Sequence, residues 1–257
     1  MTQFSANLGF LWTNLALPDA IRAAHEAGFR AVECHWPYET PTDEITAALT
    51  ETGLKMLGLN TRRGNVDAGD NGLSALPDRV EEARTAIDEA ITYAAEINCG
   101  AVHVMAGFAS GAEAEATFVE NLTYACAQAA AHGITILIEP LNRYDAPGYF
   151  LQTTTQAKDI IGKVGAENIK LMFACYHVQL MEGDLSHRLS DLLPLIGHIQ
   201  FAGVPARGRP DVGEVNFMHV FDHIDGLGWD KPVGAEYKPG GPTENTLGWM
   251  RYALADA

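Results

Sequence analysis

The chain has 257 residues, a length that fits one barrel domain or two small domains, and 47% of them are hydrophobic. A chain of this size buries roughly 70 to 75% of its unfolded surface and needs neither a disulfide nor a structural metal to hold a core. Its 17 Lys and Arg against 33 Asp and Glu give a net charge of −16, which opposes attraction to phosphate backbones and anionic lipid and disfavours nucleic acid and membranes as partners.

Cys34, Cys99, Cys126 and Cys175 are dispersed and form no CxxC pair, so they read as unrelated thiols rather than a metal or redox motif. The opening MTQFSANLGFLW lacks a basic segment followed by a long apolar run, and no stretch approaches 18 uninterrupted apolar residues. The expected location is a reducing cytoplasm.

Short apolar runs alternate with helical segments along the chain. ANLGFLW at 6–12 predicts a first strand, followed by a helix around 17–27, a strand at 29–34, a helix at 42–52 and a strand at 55–60. The segment 77–97 carries spaced apolar positions with a Pro near its start, as an outer helix does, and precedes AVHVMAG at 101–107. Residues 113–131 favour a helix, and ITILIEP at 134–140 reads as a buried strand ending at Glu139. A helix at 153–164, a strand at 168–174, a helix at 186–193, a strand at 197–203, a helix near 216–225 and a strand at 231–237 complete eight strand-like units, with 243–254 closing the barrel. Regular β-then-α alternation predicts a parallel sheet covered by helices. Eight units predict the α/β class, a single (β/α)₈ TIM barrel spanning 1–257, with 67–77 read as a long loop rather than a hinge.

Loops after the strands of such a barrel open on one face, where residues distant in sequence meet. Glu139 follows ITILI and Glu236 follows KPVGA; His177 and Gln200 lie at or beyond two other strands, and Arg207 in the loop after the seventh. Either glutamate alone could be a structural carboxylate, but two at one mouth can divide acid and base work or bind a divalent cation. His177 and His103 could equally satisfy local backbone groups, and Gln200 could hydrogen-bond strand-end backbone. Arg207 or Arg209 could clamp a substrate carboxylate or form an exposed ion pair, with Arg62, Arg63 and Arg143 as other candidates. Lys238 could tune Glu236 or extend into solvent. Phe10, Trp12, Trp36, Tyr149, Tyr176 and Trp249 could roof an apolar part of the pocket or simply pack.

Several segments together resemble the hydroxypyruvate isomerase family, within the wider sugar isomerase and epimerase group of xylose isomerase-like TIM barrels. They are GLNTRRGNVDAGDNGLSALP at 58–77, VHVMAG at 102–107, LIEPLNRYDAPGYFLQTT at 137–154, YHVQLMEGD at 176–184, HIQFAGVPARGRPDVGEVNF at 198–217 and GAEYKPGGPTENTLGW at 234–249. The resemblance implies a (β/α)₈ fold and a divalent metal, magnesium or manganese, on Glu139, Gln200 and Glu236. It also implies acid and base roles for Glu139 and Glu236, with His177 and Arg207 beside the substrate; Lys238 is counted with them as a candidate substrate contact. The chain departs from the family pattern at Ala174, where an aspartate is expected. An alanine cannot coordinate a cation, so the departure weakens the metal site more than the fold.

The implied reaction interconverts hydroxypyruvate and tartronate semialdehyde through a metal-stabilised cis-enediolate, the two glutamates exchanging acid and base roles with direction. A 2-oxo-tetronate isomerase and a ketose 3-epimerase are the enzyme alternatives, and the arginines incline the reading toward an acid-bearing substrate. A catalytically impaired acid-sugar binding protein is the alternative that Ala174 raises, and metal-dependent endonuclease chemistry is disfavoured by the acidic composition. The expected partner is a small hydroxy-keto acid or acid sugar, and the resemblance leaves room for a homo-oligomer.

Overall fold

The computed structural model describes residues 2–251. Its strands are β1 (Phe4–Asn7), β2 (Ala31–Glu33), β3 (Leu59–Asn60), β4 (Ala101–His103), β5 (Thr135–Ile138), β6 (Ile169–Ala174), β7 (Ile196–Phe201) and β8 (Val233–Ala235). Between them run α1 (Leu17–Glu26), α2 (Thr42–Thr52), α3 (Val80–Glu96), α4 (Gly111–Ala130), α5 (Thr154–Val164), α6 (Cys175–Met181), α7 (Leu185–Leu192) and α8 (Phe217–Gly226). All pairings are parallel, in the order β2-β1-β8-β7-β6-β5-β4-β3. The ends of that order meet through Val32 N–H to Lys55 O at 3.0 Å and Leu57 N–H to Val32 O at 2.8 Å, so hydrogen bonds run around a (β/α)₈ barrel.

Strand alternation sorts the side chains into two environments. Ala6, Val32, Val102, Ile136, Phe173, Ile199, Phe201 and Val233 face outward and join the large core shared with the helices. On α3 the buried Ile87, Ala90, Ile91 and Ala94 recur at helical spacing and meet that core. Each fully buried Ile there contributes about 2 to 3 kcal/mol of transfer free energy. Inside the barrel, among the described residues, Ala101, Leu137 and Met172 form a separate apolar cluster. The interior above that plug is polar, and this is where the chemistry is positioned.

Most predicted elements stand where periodicity puts them; α2 has the predicted bounds, and the left-handed Gly53 that follows, at φ 69°, ends it. Three departures have local causes. The first strand lies earlier than 6–12, because Asn7 accepts the Gly9 N–H on its Oδ1 at 2.9 Å and the Leu11 N–H on its carbonyl at 2.9 Å, turning the chain. α6 is an extra helix that starts directly after β6, with no side-chain cap and no intervening loop. Near the end of the described residues a 3₁₀ turn, Thr243–Thr246, precedes helical residues 249–251, and residues 252–254 of the expected closing helix lie outside the described residues.

Candidate active site

The C-terminal strand ends converge on one mouth. β1 ends at Asn7, β2 at Glu33, β4 at His103 and β6 at Ala174; Glu139 directly follows β5 and Glu236 directly follows β8. Glu139 and Glu236 are each 6% exposed, and His103, His177 and Gln200 are buried beside them.

Glu236 is an ionised carboxylate held by donors. Its Oε2 accepts from the Arg207 guanidinium at 2.6 Å, and its Oε1 accepts from Asn7 Nδ2 at 3.3 Å and lies 3.4 Å from His35 Nε2. Burial would raise its proton affinity, but the Arg207 charge and the His35 contact outweigh burial and hold it down at about 2. Arg207 is positioned tightly: its guanidinium lies 4.6 Å from the Phe10 ring and 5.1 Å from the Tyr176 ring, with Asp145 at 3.7 Å. Its backbone takes φ 54°, which costs an L residue about 1 to 2 kcal/mol, and its carbonyl accepts the Lys238 N–H at 2.7 Å. Strain of that kind persists where the surroundings over-determine it.

Glu139 is the opposite case. Burial, and then the negative charge of Glu236, push its carboxyl well above the ordinary range, with Arg207 opposing. Its oxygens lie 3.8 Å from His103 Nδ1 and 3.8 Å from His177 Nε2, and Oε1 has no hydrogen-bond partner. Burial pushes His103 down to about 4, and burial followed by the Arg207 charge pushes His177 down to about 3, so both imidazoles are neutral near pH 7. The Asn142 N–H donates to His177 Nδ1 at 3.0 Å. A neutral ring that accepts at Nδ1 carries its proton on Nε2, and that Nε2 is buried and unpartnered at the mouth. The site therefore combines a carboxyl of raised proton affinity, a carboxylate of lowered proton affinity, a fixed guanidinium and a free imidazole N–H donor. Paired carboxyls with proton affinities driven apart can divide acid and base work.

Glu139, Glu236, His177, Gln200 and Arg207 thus come together as the sequence predicts. Lys238 does not: its side chain is exposed and only its backbone meets the Arg207 loop. β8 ends at Ala235, so the alternation that would have aimed position 238 inward stops three residues short. Arg62 is tied to Glu89 and Glu39, Arg209 lies 3.2 Å from Asp211, Arg63 stacks on Trp36 and exposed Arg143 bonds Tyr144, leaving Arg207 as the mouth cation. Sequence reasoning missed Asn7, Glu33, His35 and His198. Glu33 carried a usable signal, because it ends an apolar strand run as Glu139 does.

A family model described as the xylose isomerase-like TIM barrel matches residues 21–253. The chain belongs to the xylose isomerase-like TIM-barrel family. It is 44% identical over 255 residues to the 2-oxo-tetronate isomerase of Cupriavidus necator, covering 98% of both chains. It is 38% identical over 255 residues to the hydroxypyruvate isomerase of Escherichia coli, covering 97% of this chain and 98% of that one. The crystal structure of an AP endonuclease, family 2, from Brucella melitensis superposes with a TM-score of 0.94 at 36% identity, covering 98% of this chain and 99% of that chain. The relatives thus include both 2-oxo-tetronate and hydroxypyruvate isomerases, a wider kinship than hydroxypyruvate isomerase alone.

Within this xylose isomerase-like barrel, the residues present give a divalent cation a partial fit. Glu139 Oε1 and Gln200 Oε1 are buried acceptors with no donor, the hard oxygens that such an ion takes. Glu236 is a third oxygen ligand, already sharing its charge with Arg207. Ala174, paired in register with Gln200, offers no oxygen. Among the described residues no three His, Cys, Asp or Glu side chains form a ligand group, so any ion here rests on two carboxylates and one amide. No helix among the described residues is long and apolar enough to cross a membrane.

Proposed function

We propose that the chain is an isomerase of small 2-oxo-3-hydroxy acids, with 2-oxo-tetronate as the leading substrate and hydroxypyruvate as its three-carbon counterpart. The observation that carries the reading is the pair Glu139 and Glu236, buried at one mouth with proton affinities driven in opposite directions. The kinship at 44% identity over nearly the whole chain supports the four-carbon acid. The hydroxypyruvate relatives, at 38% in the case of Escherichia coli, support the second reading.

In both substrates a ketone at C2 adjoins a hydroxyl-bearing C3, and isomerisation moves one proton from C3 to C2 while the C3 hydroxyl proton passes to the C2 oxygen. One glutamate takes the carbon-bound proton and the other returns one to the neighbouring carbon, their roles reversing in the opposite direction. Of the two, Glu139 is the one whose proton affinity is raised and Glu236 the one whose proton affinity is lowered. The His177 Nε2–H donates to the oxygen that becomes anionic in the enediolate, and the Arg207 guanidinium supplies positive charge at the same mouth. The 12% exposure of the Arg207 side chain leaves it a narrow face for the substrate carboxylate. A magnesium or manganese ion held by Glu139, Gln200 and Glu236 would add Lewis-acid stabilisation of the enediolate oxygens.

A substrate panel tests the proposal. 2-Oxo-tetronate, hydroxypyruvate and neutral ketoses are incubated with magnesium or manganese supplied separately, and products are identified by NMR. The account expects turnover of the two acids and none of the neutral ketoses. Epimerised ketose as the main product, or specific acid binding without turnover under any condition, would overturn it.

A further inference from the structure

We infer that Glu33, buried beneath the mouth on β2, is a positioning residue that fixes which end of the Gln200 side-chain amide faces the reacting groups. The inference rests on the reading that Gln200 meets the substrate or its cation.

Glu33 is 3% exposed inside the barrel and is fully engaged there. Its Oε2 accepts from Gln200 Nε2 at 2.8 Å and lies 2.9 Å from His198 Nε2, and its Oε1 accepts from Ser5 Oγ at 3.3 Å. A carboxylate offers only acceptors, so the amide end turned toward it must be the NH₂ group. The Gln200 carbonyl oxygen is thereby aimed the other way, and there it is buried with no donor. An unmet buried acceptor costs about 1 to 3 kcal/mol, a cost relieved when a ligand arrives with a donor or a positive charge. The Glu33 carboxylate thus favours this end of the amide over the other.

The barrel makes room for the arrangement at Gly234. A Cβ there would stand 2.1 Å from Glu33 Oε1 and 3.0 Å from Gln200 Cγ, although the β8 backbone at this position has no conformation reserved for glycine. Glycine weakens a strand, so its presence is explained by the space that the carboxylate occupies. Gln200 is flanked in register by Ala174 on β6 and Gly234 on β8. Both neighbours are small, which leaves the amide oxygen open to a ligand.

The orientation has a chemical consequence. An amide oxygen accepts a substrate hydroxyl proton or binds a cation, whereas an amide NH₂ would favour a carbonyl or carboxylate oxygen. Glu33 thus selects for the hydroxyl-bearing carbon without touching the substrate.

The test compares wild type, Glu33→Gln, Gln200→Ala and the swap Glu33→Gln/Gln200→Glu. It uses the side-chain NH₂ resonances of Gln200, identified by their loss in Gln200→Ala, together with kcat, KM and the thermal midpoint. The expectation is a hydrogen-bonded Gln200 proton in wild type that is lost in Glu33→Gln. KM should rise at least tenfold in that variant with kcat within threefold, and the swap, which restores one carboxylate and one amide, should return KM to within threefold of wild type. A folded Glu33→Gln with unchanged Gln200 resonances and KM would overturn the proposal. So would a Gln200→Ala variant whose kinetics match wild type. If Glu33→Gln does not fold, Glu33→Asp, one methylene too short to reach Gln200, carries the same readings. If wild type turns over no acid on the panel, the isomerase reading fails, while the Gln200 resonances still decide the positioning role.

Discussion

Replacing Arg207 by Met removes the charge that holds Glu236 ionised while keeping most of the apolar stem between Phe10 and Tyr176. Two unit charges about 4 Å apart at an effective dielectric constant of about 20 attract by about 4 kcal/mol. Lowering Glu236 from its ordinary 4.5 to about 2 corresponds to on the order of 3 kcal/mol, in agreement. The sign follows from a carboxyl whose folded value lies below its unfolded one. Its contribution is fully present above about pH 4.5 and is lost as pH falls toward about 2. Stripping a buried ion of its partner costs about 3 to 5 kcal/mol, so Arg207→Met should lose about that much near pH 7. The deficit should shrink steadily as pH falls from about 4.5 toward about 2, because over that range the unfolded chain takes up the proton that the wild-type folded carboxylate still refuses. Urea unfolding followed by tryptophan fluorescence between pH 3 and 7 measures the gap directly. A gap that stays constant across that range, with both proteins folded, would refute the electrostatic reasoning.

Two further substitutions probe the same mouth. Ala174→Asp places a carboxylate beside Gln200 and should raise manganese affinity at least tenfold, about 1.4 kcal/mol, in calorimetric titration; unchanged affinity would mean that the β6 end does not face the ion. Gly234→Ala forces a Cβ to 2.1 Å from Glu33 Oε1 and should destabilise by about 1 to 3 kcal/mol, lowering the thermal midpoint by several degrees; an unchanged midpoint would show that Glu33 has another place to go.

The barrel was legible because outward-facing strand residues and inward-facing helix residues leave different periodicities, and because glycines such as Gly53 and Gly165 stop helices sharply. α6 was not, since seven residues without a cap or a preceding loop leave no periodic signal. Glu139 and Glu236 were legible as polar residues ending apolar runs. Their oppositely shifted proton affinities were not, because these depend on Arg207, Asn7, His35 and Glu33, brought together from three separate segments. Lys238, read as able either to tune Glu236 or to extend into solvent, does the latter: the strand ends at Ala235 and the Lys238 backbone turns to the Arg207 carbonyl. Glu33 and Gly234 form a coupled pair whose meaning lies in a close approach across the barrel, which spacing along the chain cannot express.

The central claim is proton transfer between adjacent carbons by Glu139 and Glu236. It is tested most directly by following 2-oxo-tetronate deuterated at C3 through full turnover in ordinary water, with wild type and with the Glu139→Gln and Glu236→Gln variants. The account predicts that deuterium leaves C3, appearing in solvent or at C2, and that each variant loses about 10² to 10⁴-fold in kcat. Complete conversion with deuterium retained at C3, or wild-type rates in both variants, would contradict it.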